Sequence, residues 1–132
     1  MRIAYITNDE VNRSFAAQVG QQCGAFICAL APMDSPPDDR FQAVVYDLDD
    51  LQRQDRAELV AQIAGSPSTR PRAVHGFDIT DEQARILRRH GVSISRRLHA
   101  GLIRSLCKAA QPSRATVPPD EPTELTWVNV VD

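Results

Sequence analysis

The sequence predicts one α/β domain built on an open, parallel, doubly wound sheet, and three observations predict it. Short apolar runs alternate with stretches of helical period from residue 2 to residue 110. Two of those runs, AFICAL and AVVY, lack polar alternation, as strands covered on both faces do. The joins carry Asn, Asp, Gly and Pro, which turn the chain and cap helices. Parallel neighbours need crossovers, and right-handed crossovers place helices on both faces of the sheet. At 132 residues the chain holds one core.

The first strand is Ile3 to Ile6, between Arg2 and Thr7. Asn8, Asp9 and Glu10 stop it and open a helix near Val11, whose apolar positions Val11, Phe15, Ala16, Val19 and Cys23 keep helical spacing. Gly24 closes that helix from the C′ position. Residues 25–30 form a second buried strand. Pro32, Pro36 and Pro37 among Asp34, Ser35, Asp38 and Asp39 leave no room for a three-turn helix, so this crossover is a loop or a short turn. The third strand, residues 43–46, ends in Asp47, Asp49 and Asp50. A helix follows from Leu51 to Ala64, with Asp49 or Asp50 expected to cap it, and Gly65, Ser66 and Pro67 end it.

Residues 73–77 are the fourth strand. Thr80 with Gln83 forms a capping box for a helix that runs to His90 and Gly91. Residues 92–95 make a fifth strand at the sheet edge, and Leu98, Leu102, Ile103, Leu106 and Ala109 make one stripe of a closing helix. Residues 1–110 are thus the domain and 111–122 a proline-rich linker. Residues 123–132 are a strand-like tail containing Trp127, which docks on its own domain or is offered to a partner or second copy by strand addition; a homodimer is one such arrangement.

A formal charge of −2 with 42% hydrophobic residues argues against a disordered chain and a nucleic-acid binder, and aromatic interleaving is absent among the basic residues. The longest nearly apolar stretch, 25–32, is far below the roughly 20 residues of a membrane span. No signal-peptide pattern opens the chain, so a cytoplasmic protein is expected. Cys23, Cys28 and Cys107 form no CxxC and sit among apolar neighbours, as small core residues do. His75, His90 and His99 are scattered, without ligand spacing, and His75 falls in a strand.

In open α/β sheets ligands bind at the carboxyl ends of strands. The flavodoxin-like strand order 2-1-3-4-5 fits five βα units, and it makes the first and third strands neighbours. Asp9 and Asp47 then face one crevice, with Asn8 and Asp49 beside them. Two carboxylates in one pocket call for a cation or an arginine.

With Asn8-Asp9 after the first strand and Asp47 after VVY, residues 2–110 resemble the receiver domain of two-component response regulators. The resemblance implies a phosphoacceptor at Asp47 and an optional magnesium ion held by Asp9, Asp47 and the backbone carbonyl of Asp49. It also implies a pocket completed by Asn8, Gly76, Ser95 and Arg96. Receivers carry a hydroxyl residue after the fourth strand and a lysine after the fifth. Gly76 and Ser95 stand there, with Arg96 one position later. The second helix is also largely deleted. These departures point to a divergent receiver without functional phosphorylation, requiring no cofactor and acting by protein contact in a signalling pathway.

A phosphorylatable receiver using Asp47 is the alternative. A small nucleotide-binding enzyme is a further one, weakened by a glycine-free Thr7-Asn8-Asp9-Glu10 turn with two carboxylates. The basic second half offers a docking face for an acidic partner through Arg88, Arg89, Arg96 and Arg97, with Trp127 as a further contact.

Overall fold

The computed structural model describes residues 1–31 and 37–110. The proline-rich linker at 111–122, the tail at 123–132 with Trp127, and residues 32–36 of the proline-bearing crossover lie outside the described residues. The elements follow the alternation read from the sequence. They are β1 (Arg2–Ile6), α1 (Glu10–Gln22), β2 (Phe26–Leu30), β3 (Ala43–Asp47), α2 (Arg53–Gly65), β4 (Arg72–His75), α3 (Asp81–Arg89), β5 (Ser93–Ser95) and α4 (Ala100–Ala110). All strand pairs are parallel, in the order β2-β1-β3-β4-β5. No helix of the described residues is long and apolar enough to cross a membrane.

The pleat sorts side chains onto two faces. Ile3, Tyr5, Ala43, Val45 and Ala73 point to one face, where α1 supplies Ala16 and Val19 and α4 supplies Leu102, Ile103 and Leu106. On the other face Val74 packs with Leu48, Val60 and Ile63 of α2 and Leu87 of α3. Double coverage is why β3 reads as a continuous apolar run. Each fully buried aliphatic side chain stabilises the domain by roughly 1.5–3 kcal/mol. The three cysteines are half-buried and pack against these cores.

Local signals set most helix ends. Asp9 accepts from the amides of Val11 and Asn12 at the start of α1, and Gly24 adopts φ +70° after its end. The expected Thr80–Gln83 capping box is present at α3. The start of α2 differs from expectation: its N-cap is Gln52, with no side-chain cap. Asp49 and Asp50 are not caps, because residues 48–51 form an extra turn that carries both carboxylates away from the helix start.

Between β2 and β3 no helix occurs among the described residues. Phe41 plugs the core there beside Ala4, Ile6 and Val44. The Arg70 guanidinium donates to the carbonyls of Pro37, Asp38 and Phe41, which fixes the chain as it returns to β3. Arg72, buried at the start of β4, donates to the carbonyls of Ile63 and Ser66 and so satisfies the end of α2.

Candidate functional site

Asp47 ends β3 on the face occupied by Ala43 and Val45, so its carboxylate turns beneath α1 rather than out into a crevice. The side chain has 0% exposure. Burying a carboxylate is unfavourable unless donors replace its water, and three do. Thr7 Oγ1 and Asn12 Nδ2 each donate to Oδ2 at 2.8 Å, and the Asp49 amide donates to Oδ1 at 3.0 Å. Thr7 is buried at the tip of β1, and Asn12 lies on α1, so two crossover elements converge on one oxygen.

Parallel pairing sets His75 opposite Asp47. The imidazole Nε2 lies 2.7 Å from the Tyr5 hydroxyl, and the two rings stack with centroids 5.6 Å apart. Nε2 is 3.7 Å from Asp47 Oδ1 and Nδ1 is 3.9 Å from Asp49 Oδ2. Burial pushes the His75 pKa below its ordinary value, against the upward pull of Asp47 and Asp49, so the ring is neutral and these contacts are not ion pairs. Burial, reinforced by the charge of Asp47, pushes the Tyr5 phenol well above its usual range. Nδ1 is buried without a hydrogen-bond partner.

The remaining acidic groups tie loops together around this centre. Asp49 Oδ1 accepts from the Phe77 amide at 2.8 Å, and Asp50 Oδ2 accepts from the Asn8 amide at 2.6 Å. Asp9 caps α1 through Oδ1, while its own amide donates to Thr7 Oγ1 at 3.0 Å. Arg56 of α2 donates to the Leu48 carbonyl and so braces the turn after β3.

Of the residues singled out in the sequence, Asp47 and Asp49 come together. Asn8 is exposed and joins the cluster only through its amide. Gly76 is buried, its amide donating to the Ser95 carbonyl. A Cβ at Gly76 would lie 3.1 Å from Leu48 Cβ and 3.2 Å from Ile79 Cγ1, so a hydroxyl-bearing side chain fits only if those neighbours yield. The Ser95 hydroxyl donates to the Arg97 carbonyl, within its own loop. Arg88, Arg89, Arg96 and Arg97 are all exposed.

Tyr5, Thr7, Asn12 and His75 are the site residues that sequence reasoning missed. Scattered histidines gave no ligand spacing, yet Asp47, Asp49 and His75 each offer a ligand atom within 4.8 Å of the other two. Strand register, which joins positions 28 apart in the chain, is what the spacing argument lacked. A polar Thr7 ending an apolar strand was the one local hint.

Magnesium asks for oxygen ligands in near-octahedral geometry and keeps several waters. Here Asp47 Oδ2 already accepts two donors, Asp9 Oδ1 holds helix amides, and the third ligand of the cluster is an imidazole. The side chains that lie within reach of one ion are thus Asp47, Asp49 and His75, whereas Asp9 is engaged as the cap of α1.

The fold is that of receiver domains. A response regulator receiver protein from Pseudoalteromonas atlantica superposes with a TM-score of 0.65 at 11% identity, over 83% of this chain and 96% of that one. The non-phosphorylated HemR receiver domain from Leptospira biflexa gives 0.56 at 19% identity, over 86% and 96%. A putative CpaE2 pilus assembly protein from Sinorhizobium meliloti gives 0.53 at 17% identity, over 83% and 99%. No family model matches the sequence, and no curated protein matches it.

Proposed function

We propose that this receiver-fold domain is a regulatory module that works by binding another protein, without phosphorylation of Asp47 and without catalysing a reaction of its own. The observation that carries this reading is the state of the Asp47 carboxylate. In-line phosphoryl transfer needs a carboxylate oxygen free to approach phosphorus, with a metal beside it to neutralise the developing charge. Asp47 has no exposed side-chain surface, and each of its oxygens accepts at least one hydrogen bond. A donor molecule would have to displace Thr7 and Asn12 first. Gly76 offers no hydroxyl to bind a phosphoryl group, and Ser95 turns its hydroxyl to its own backbone.

With the pocket closed, contact is left to the surface. The exposed Arg88, Arg89, Arg96 and Arg97 give a cationic face suited to an acidic protein partner, and residues 123–132 with Trp127 supply a second contact, to that partner or to another copy. The test is to incubate the protein with magnesium and acetyl phosphate and record the intact mass. An unchanged mass is expected. A phosphoryl adduct that disappears in Asp47→Asn overturns the proposal.

A further inference from the structure

We propose that residues 124–131 of this chain pair in parallel with the open edge of β2, as a sixth strand of its own sheet. The two edges of that sheet are built differently. β5 is three residues long and is followed by Arg96 and Arg97, so brevity and charge protect it. β2 has five residues, FICAL, with no charge and no proline, and its Phe26 is 60% exposed. An apolar edge of this kind is a template for another strand. The Phe26 amide donates to the Met1 carbonyl and the Leu30 carbonyl accepts from the Thr7 amide, so residues 26, 28 and 30 turn their backbone groups to β1. The alternate residues, Ile27 and Ala29, then turn theirs outward, where no described strand pairs with β2.

The occupant follows from where the described chain ends. α4 stops at Ala110, and its Ser105 and Ala109 border a cleft with Pro71, Arg72 and Ser93, at the N-terminal ends of β4 and β5. Because every strand pair is parallel, β2 also begins at this end of the sheet. A strand beside β2 stands four spacings from β4, about 19 Å. Residues 111–122, with four prolines, reach about 37 Å when extended. The tail thus arrives at the start of β2 and runs along it. Since α1 and α4 cover one face, this connection crosses the sheet over the same face and in the same direction as β1–α1–β2, with the same right-handed sense. Pleating sets Leu125, Trp127 and Val131 on one side of the tail and Thr126, Val128 and Val130 on the other. Cys28 and Leu30 are half-buried, and the cluster they join, Ala4, Ile6, Phe41 and Val44, contains no helical residue. Leu125 and Trp127 supply the bulk that this face lacks. Once paired, the tail is the sheet edge from which it meets a partner, which deepens the contact that the proposed function assigns to residues 123–132.

Trp127 is the only tryptophan, so its fluorescence reports on the tail alone. In the full chain its emission should be blue-shifted at every protein concentration, and the Ile27 and Ala29 amides should exchange slowly by NMR. Val128→Pro removes a ladder donor outside the domain core. It should return the emission to that of an exposed indole and speed exchange of both amides at least about tenfold, with protection of the β1 and β3 amides as the control for an intact domain. Exposed Trp127 emission in the parent chain, or Ile27 and Ala29 exchange unchanged in Val128→Pro, overturns the proposal. So does protection that appears only as a dimer forms on concentration, which assigns the tail to a second copy. None of these outcomes alters the intact-mass result at Asp47, so failure here is distinguishable from failure of the proposed function.

Discussion

Replacing Asp47 by Asn should destabilise the domain, and the sign of that effect separates a satisfied buried carboxylate from a crowded acidic pocket. In a pocket governed by repulsion among Asp9, Asp47, Asp49 and Asp50, deleting one charge stabilises. In this structure every polar neighbour within bonding distance of Asp47 donates to it. An Asn side chain keeps its oxygen on Thr7 and Asn12 but then turns its NH2 toward the Asp49 amide, donor against donor. One unsatisfied buried donor costs about 1–3 kcal/mol, and the two retained bonds each lose about 1 kcal/mol when their acceptor becomes neutral. Relief of carboxylate desolvation offsets part of this, leaving about 2 kcal/mol. For a domain of this size that is a fall of about 10 °C in Tm. Urea denaturation followed by far-UV circular dichroism at neutral pH measures it. A midpoint equal to or above that of the parent protein refutes the reasoning.

Stability should also depend on pH through His75. Its folded pKa lies below the ordinary 6.5 because burial outweighs the two carboxylates, so between the folded and unfolded values the unfolded chain binds more protons. The contribution is complete above the unfolded pKa and is lost as pH falls through the folded one. Urea midpoints should therefore decline on acidification from about pH 7.5 to about pH 5.5, a window set by the usual histidine pKa, and His75→Gln should flatten that decline; a parallel decline in the variant refutes the assignment. Arg72→Met should cost about 3 kcal/mol, since it removes two charge-assisted bonds to the end of α2. Chemical denaturation reads it, and a loss under about 1 kcal/mol means that water replaces the guanidinium.

Much of this protein was legible from local chemistry. The apolar run of β3 marked a strand buried on both faces, whereas the similar run of β2 lies at the sheet edge, half-buried with Phe26 exposed; Asp9, Gly24 and the Thr80–Gln83 pair marked helix ends through bonds that span only a few residues. The crowding of prolines at 32–37 argued against a helix between β2 and β3, and none occurs there among the described residues. The position of Asp47 at the end of the third strand was equally plain, because strand period and turn residues fix it. What surrounds Asp47 was not. Asp49 and Asp50 looked like helix caps because capping is the local role of an aspartate before a helix, yet an extra turn carries them to the Phe77 and Asn8 amides.

The sequence by itself determined a five-stranded parallel domain with an acidic residue ending its central strand, since those depend on period, propensity and capping within short windows. Only the tertiary structure decided what that residue is. Parallel register set His75 against Asp47, and the pleat turned the carboxylate inward beneath α1. The packing of β1 and α1 brought Thr7 and Asn12 onto one oxygen. Burial and hydrogen bonding act between positions far apart in the chain, so no local pattern distinguishes an open acceptor from a closed one.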